Sequence, residues 1–128
     1  GMTPIAMENL RRLVASKAML LKKSLGTDTL PMTEHSDRIE FGWFRPTDDQ
    51  AEIATYYQLV QGLYELARTQ KRVGASEQEV ENEKYAFRCF LLRLGFIGPE
   101  FKDSRRVLLK NLSGNSAFRD AQEAGDKE

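Results

Sequence analysis

Apolar residues recur along this chain at two different spacings, and the spacings predict its secondary structure. Four segments repeat apolar residues three and four positions apart, which is typical of amphipathic helices. A fifth segment instead alternates, with Ile39, Phe41 and Trp43 separated by polar residues or glycine, which is typical of a half-buried strand. The pattern predicts helices over 4–25, 47–72, 76–94 and 99–112, and a two-stranded β-hairpin over 29–44.

The residues at the ends of these segments support the same boundaries. Capping-box patterns begin at Thr47 and at Ser76, each placing acidic residues in a first helical turn. Proline opens the first and last helices. Glycines follow the predicted C-terminal ends, where left-handed backbone is needed, at Gly26, Gly74, Gly95 and Gly114.

The order of elements predicts an α+β fold that is predominantly helical: an N-terminal helix, a hairpin, then three helices. We expect one compact domain over 1–119 and an acidic, flexible tail over 120–128. A two-stranded hairpin is barely stable alone, so its apolar face should lie on the helices. The expected core consists of Leu13, Leu21, Phe41, Trp43, Tyr57, Leu63, Phe87, Leu91, Leu94, Phe101, Leu108 and Leu112.

Composition narrows the class of protein. The chain has 128 residues, 41% hydrophobic and 30% charged, with a formal net charge of zero, as expected for a globular protein with no overall attraction to nucleic acid or membrane. The apolar runs are too short to span a bilayer, and no secretory signal is recognisable. Cys89 is the only cysteine; we expect it to be buried. These features predict a cytoplasmic protein.

No motif predicts a catalytic residue, a cofactor or a bound metal. There is no P-loop, and the glycines at positions 95, 98 and 114 lie at helix ends rather than after a strand. One histidine and one cysteine cannot form a structural zinc site. Glu79 and Glu83 share a helical face, so an acidic site with His35 remains an alternative, although acids at this point also stabilise a helix start.

Basic residues concentrate in the C-terminal part of the chain. The segment 84–119 has eight basic residues against two acidic ones. Lys102, Arg105, Arg106 and Lys110 form a candidate contact for nucleic acid or an acidic partner, while the favoured interpretation is a solvated charged face. Because the last helix begins Pro99-Glu100-Phe101, it offers few groups that read bases, and we expect no sequence-specific DNA binding.

Aromatic residues gather around the exit of the predicted hairpin. They are Phe41, Trp43 and Phe44, which are neighbours in the sequence, and Tyr56, which lies in the following predicted helix. A core role is favoured for this cluster. Because aromatic residues are enriched at interface hot spots, Trp43 and Phe44 are also candidates for a protein interface.

Four strings in the C-terminal part carry a family resemblance: QKRV (70–73), ENEKYAFR (81–88), RLGFIGPEFK (93–102) and LLKNLSGNSAFR (108–119). They are similar to small proteins of bacteriophage and mobile elements of Gram-positive anaerobes, commonly labelled virulence-related proteins and sometimes amidoligases. The resemblance covers mainly residues 70–119 and includes no catalytic motif. It implies a phage or mobile-element origin and a cytoplasmic setting.

These observations together predict a non-enzymatic accessory or interaction protein whose partner is another, unidentified protein. A nucleic-acid-binding protein using the basic face of residues 84–119 is the first alternative. A small enzyme or metal-binding domain with an acidic site is the second. We expect no membrane association, and the sequence leaves homo-oligomerisation open.

Overall fold

The computed structural model describes residues 3–71 and 73–115. Over these residues the chain forms five α-helices and one two-stranded antiparallel sheet, so the predicted α+β, predominantly helical fold is confirmed. The predicted acidic tail over 120–128 lies outside the described residues. The elements, in chain order, are α1 (Pro4–Ser16), α2 (Ala18–Leu25), β1 (Met32–Glu34), β2 (Ile39–Phe41), α3 (Gln50–Thr69), α4 (Glu83–Arg93), a 3₁₀ turn (Pro99–Phe101) and α5 (Lys102–Leu109).

Helix α3 lies at the centre and packs against α1, α4 and α5. Its buried face includes Leu59 and Leu63, both fully buried. The prediction that Tyr57 belongs to the core is wrong: it is 66% exposed, because it lies on the opposite side of α3 from that face. Of the other predicted core residues, Leu13, Leu21, Trp43, Leu63, Phe87, Leu91, Leu94, Leu108 and Leu112 are buried, and Phe41 and Phe101 are half-buried against them.

The predicted helix over 4–25 is interrupted at Lys17, whose backbone leaves the helical region with φ −122° and ψ 16°. The hydroxyl of Ser16 donates a 2.8 Å hydrogen bond to the Leu13 carbonyl, which competes with regular helix bonding. The break lets α1 pack on α3 while α2 packs on α5. Helix α2 then ends, as predicted, at Gly26 in left-handed backbone.

The hairpin has the predicted alternation. Met32 pairs with Phe41 and Glu34 with Ile39, and the turn closes with a 2.8 Å hydrogen bond from the His35 amide to the Arg38 carbonyl. Its apolar side chains are half-buried against the helical core, as a short two-stranded sheet requires.

Helix α3 begins at Gln50 rather than at 47. The carboxylate of Asp49 accepts hydrogen bonds from the amides of Ala51 and Glu52, so Asp49 is the N-cap. The hydroxyl of Thr47 accepts from the Asp49 amide instead, which makes a turn before the helix. At its other end the helix stops at Thr69.

Helix α4 begins at Glu83, so the prediction of a helix from 76 is wrong. Asn82 is the N-cap, and its side chain accepts from the amide of Tyr85. Glu77 instead accepts a 2.7 Å hydrogen bond from the Met19 amide and so caps the first turn of α2. A helix through this segment would also stack like charges four residues apart, as Glu77 and Glu81, which is unfavourable.

The last predicted helix, over 99–112, is a 3₁₀ turn followed by α5, which ends at Leu109. On α4, the buried side chains are Glu83, Phe87, Phe90 and Leu91. Cys89 lies away from them and is exposed, contrary to the expectation that it would be buried.

Candidate functional site

A cleft of about 380 Å³ opens between the exit of the hairpin and the C-terminal end of α5. We call it the hairpin–α5 cleft. It brings together two regions that the sequence indicated separately, the aromatic pair Trp43–Phe44 and the basic residue Lys110. Its walls are formed by Ser24, Leu25, Gly26, Trp43, Phe44, Arg45, Glu52, Tyr56, Val107, Leu108, Lys110 and Asn111.

Side-chain hydrogen bonds between helices build the floor of the cleft. The buried hydroxyl of Ser24 on α2 donates a 2.5 Å hydrogen bond to the Leu108 carbonyl on α5. The side-chain amide of Asn111 donates back to the Ser24 carbonyl at 3.1 Å. These two bonds satisfy carbonyls near the C-terminal ends of both helices, so the relative position of α2 and α5 is fixed where they line the cleft.

Aromatic rings form one wall. The ring of Phe44 stacks on that of Tyr56, with centroids 4.5 Å apart and an angle of 19°. Trp43 contacts Phe44 at 6.1 Å and Phe41 at 4.9 Å, the latter edge to face. The half-buried Phe44–Tyr56 stack therefore rests on a buried tryptophan, and its geometry is held by the hairpin.

Trp43 is a core residue rather than a free interface residue, because it is only 3% exposed. Its indole Nε1 is buried and has no hydrogen-bond acceptor among the described residues. Of the two predicted interface aromatics, Phe44 alone retains partial exposure. Trp43 forms the edge of the aromatic wall. Because it is the only tryptophan in the chain, its fluorescence would report on changes at the wall.

Two exposed cations flank the aromatic wall. Arg45 follows Phe44 directly, and its guanidinium lies near the C-terminal end of α2, where a β-carbon on Gly26 would be 3.9 Å from Nη2. Lys110 follows the last residue of α5. Neither Arg45 nor Lys110 forms an ion pair within the part of the chain that the structure describes. Both are therefore available to a negatively charged ligand.

The phenol of Tyr56 lies among charged neighbours in the cleft. Burial raises the pKa of Tyr56, and the negative charge of Glu52 raises it further, while Arg45 acts in the opposite direction. The hydroxyl therefore stays protonated at neutral pH and can donate a hydrogen bond to an anion. Among the described residues, Glu52 is the one carboxylate that lines this cleft.

The predicted basic group on α5 is not a uniform charged face. Arg105 donates to the carbonyls of Phe96 and Gly98, at 2.8 and 3.1 Å, and so supports the loop before the 3₁₀ turn. Arg106 forms an exposed ion pair with Asp103. Lys102 and Lys110 remain without ion pairs in the described part, and Lys110 alone of the group lines the cleft.

The predicted acidic site is not assembled. Glu83 accepts hydrogen bonds from Lys23 at 2.5 Å and from the Ser113 amide at 3.0 Å. Both bonds lower the pKa of Glu83, and the bond from Lys23 has the larger effect. Glu79 is exposed, and His35 lies in the hairpin turn beside Glu40. Among the described residues there is no group of three histidine, cysteine, aspartate or glutamate side chains that could hold a metal ion.

A larger cleft, of about 610 Å³, lies beside the hairpin turn and is bounded by Met7, Tyr64 and Arg68. Its charged side chains pair with neighbours at the surface: Arg38 with Asp37, and Arg68 with Glu65. Exposed pairs of this kind contribute little to stability and can be exchanged for others. The charges here compensate each other, in contrast to the unpaired cations of the hairpin–α5 cleft.

Comparison of the chain with protein-family models, with curated proteins and with solved structures finds no match. In the described part, no helix is both long and apolar enough to cross a membrane.

Sequence reasoning missed Arg45 and Glu52 as cleft residues. Arg45 directly follows the aromatic pair, so its position beside Phe44 was the one local signal available. Glu52 resembled an ordinary first-turn acid. The contact of the hairpin exit with the end of α5 depends on tertiary packing, because these regions are far apart in the sequence.

Proposed function

We propose that this protein is a non-enzymatic interaction protein that binds an acidic segment of a partner protein in the hairpin–α5 cleft. The observation that carries the proposal is the pairing of a rigid aromatic wall, Phe44 on Tyr56, with two cations that have no partner in the described chain, Arg45 and Lys110. Aromatic residues and arginine are enriched in interface hot spots, and the cleft has the volume of a ligand pocket.

The chemistry of the cleft supports a ligand with both acidic and apolar groups. A carboxylate would be attracted by Arg45 and Lys110 and could accept from the Tyr56 hydroxyl, while an apolar side chain would contact Phe44. Glu52 would repel a ligand that is acidic throughout its length, so the charges favour a segment in which acidic and apolar residues are mixed. On the resemblance of residues 70–119, we propose a phage or mobile-element origin and a cytoplasmic location.

Nucleic acid is the alternative ligand, and the test must distinguish it from an acidic segment of a protein. Duplex binding would need several cations free to neutralise phosphates. Arg105 is held by the carbonyls of Phe96 and Gly98, whereas Arg106 forms only an exposed pair with Asp103. The other basic residues of the described part of this face form no ion pair there: Lys84, Arg88, Arg93, Lys102 and Lys110. Of these cations Lys110 alone lines the hairpin–α5 cleft, so the cleft itself suits a local acidic ligand rather than an extended polyanion.

Selection from a displayed library of random peptides tests the proposal even while the partner is unidentified. We expect the selected peptides to be enriched in aspartate and glutamate next to apolar residues, and the enrichment to be lost with the Lys110→Glu variant. Lys102→Glu is the matched control, because it makes the same charge change on the same helix outside the cleft. Selection of peptides without acidic enrichment, or selection that survives Lys110→Glu unchanged, would contradict the proposal.

A further inference from the structure

Helix α3 has apolar residues on two faces. Its inner face is buried in the core, whereas Ile53, Tyr57, Val60 and Tyr64, at spacings of four, three and four residues, form a second stripe. We call this the outer stripe. Ile53 is 43% and Tyr57 66% exposed, and Val60 and Tyr64 are half-buried. A surface helix normally carries one apolar stripe, toward the core, so a second and partly exposed stripe is a candidate contact surface.

Charge is absent from the middle of α3 and concentrated at its ends. Residues 53–64 (IATYYQLVQGLY) contain no charged side chain, in a chain that is 30% charged. Acidic residues precede this segment, at Asp48, Asp49 and Glu52. Glu65 follows it directly, and two basic residues, Arg68 and Lys71, come after Glu65. Depletion of charge within an apolar patch, with charges at the rim, is the composition of a protein interface.

We propose that the outer stripe binds a second copy of this chain, with the two α3 helices packed antiparallel about a two-fold axis. An axis midway along the stripe places Ile53 opposite Tyr64 of the second copy and Tyr57 opposite its Val60. The same register places Asp49 opposite Arg68 of the second copy. Each contact occurs twice, as a two-fold interface requires.

The distribution of charge selects this arrangement over its alternatives. A parallel pair would bring the acidic ends of both helices together, and the basic ends likewise, which costs free energy. Asp48 and Lys71 form no ion pair with any residue that the structure describes. Arg68 contacts Glu65 through an exposed pair, which can be exchanged for a contact across the interface at little cost.

Where the hairpin approaches the outer stripe, the ring of Tyr64 packs edge to face on Phe41, with centroids 6.0 Å apart. Tyr64 and Arg68 line the 610 Å³ cleft beside the hairpin turn. The pairing would direct Ile53 of the second copy toward this cleft, where Tyr64 offers an aromatic contact. The dimer therefore uses both the exposed half and the half-buried half of the outer stripe.

Sedimentation equilibrium over a concentration series tests the association. We expect a concentration-dependent dimer, and we expect Tyr57→Glu to be monomeric with an unchanged circular dichroism spectrum, because the side chain is exposed and outside the core. Ile97→Glu is the matched control: Ile97 is 61% exposed but lies outside α3, so that variant should remain dimeric. A monomeric parent at every concentration, or a dimeric Tyr57→Glu variant, would overturn the proposal.

Cross-linking with a short bis-maleimide tests the orientation, on a Cys89→Ser background that removes the exposed native thiol. In the antiparallel pair, Gln50 lies near Arg68 of the second copy, whereas the two Gln50 residues are about 25 Å apart at 1.5 Å rise per residue. A mixture of Gln50→Cys and Arg68→Cys chains should therefore cross-link, and Gln50→Cys alone should not. The reverse result would contradict the antiparallel arrangement.

The dimer is independent of the cleft proposed to bind acidic segments. Arg45 and Lys110 are not part of the outer stripe, so Lys110→Glu should leave the dimer intact. Tyr57→Glu should in turn keep the peptide binding of the parent. The two proposals are therefore tested by separate measurements, and either can fail without the other.

Discussion

Gly62 of α3 lies against the backbone of Leu94 so closely that a β-carbon at position 62 would be 2.3 Å from the Leu94 carbonyl oxygen. The side-chain amide of Gln58, one turn earlier on α3, donates a 3.0 Å hydrogen bond to the same carbonyl. The end of α4 therefore rests directly on the central helix. This close approach explains a glycine in the interior of a helix, where it would otherwise be unfavourable.

Gly62→Ala should destabilise the protein by roughly 1–3 kcal/mol, the usual cost of overpacking. Helix propensity alone predicts the opposite sign, since alanine is about 1 kcal/mol better than glycine in a helix interior. Urea unfolding measures the free-energy difference. Gly74→Ala is the control, because a β-carbon there meets no atom within 4 Å. A Gly62→Ala variant more stable than the parent would show that α4 does not approach α3 in this way.

Leu91→Ala should lower the free energy of unfolding by about 2–5 kcal/mol, because it removes a fully buried side chain and leaves a cavity. Cys89→Ala, on the same helix but exposed, should change it by less than about 0.5 kcal/mol. Urea unfolding of the two variants measures both changes in the free energy of unfolding. If the Leu91→Ala melt overlays that of the parent, Leu91 is not in the core.

Glu83 should make stability depend on pH in the acidic range. Its pKa is lowered from the ordinary 4.5 by the bond from Lys23 and then by that from the Ser113 amide. A carboxyl with a lowered pKa in the folded state contributes stability above its ordinary pKa and loses it as pH falls through the folded value. Glu83→Gln should therefore cost about 1–3 kcal/mol at neutral pH, and the difference from the parent should shrink below about pH 4.5.

Thermal melts across that pH range measure the effect, with Glu79→Gln as the control, since Glu79 is exposed. A difference between the parent and Glu83→Gln that stays constant from neutral to acidic pH would contradict the role assigned to the Lys23–Glu83 pair.

Much of the fold follows from local pattern. The alternation of Ile39 and Phe41 gives the hairpin, and the period of Phe87, Leu91 and Leu94 gives the seam of α4. The errors have tertiary causes. The start of α4 depends on Glu83 meeting Lys23 and Ser113, which are distant in the sequence. Periodicity also cannot decide which of two apolar stripes faces the core.

The candidate site was predicted only in pieces. Phe44 and Lys110 were each candidates for contact with a partner, but nothing local indicates that α2 brings the hairpin exit and the end of α5 together. The bond from Ser24 to the Leu108 carbonyl joins α2 to α5, and serine carries no sequence signal for such a contact. Conversely, Arg105 belonged to a convincing basic pattern, yet its guanidinium supports the carbonyls of Phe96 and Gly98.

We expect nucleic acid to bind only at low ionic strength, weakly and without sequence preference. Arg105 is held by carbonyls within the chain and the formal net charge of the chain is zero, so we expect weak binding that falls steeply as salt is added. A gel-shift assay at physiological salt should show no competitor-resistant complex with duplex DNA. A tight complex that is abolished by Arg105→Ala with Arg106→Ala would favour the nucleic-acid alternative.

The most direct test of the cleft as an acidic-segment site is a charge-swap titration, followed by the fluorescence of Trp43, the only tryptophan. An acidic peptide from the selection should shift the emission of the parent, and Arg45→Glu with Lys110→Glu should weaken its binding at least about tenfold, equivalent to about 1.4 kcal/mol. The same variant should gain affinity for a peptide whose acidic residues are replaced by lysine, while Lys102→Glu should behave as the parent. Equal binding of the acidic peptide by the parent and the double variant would contradict the account.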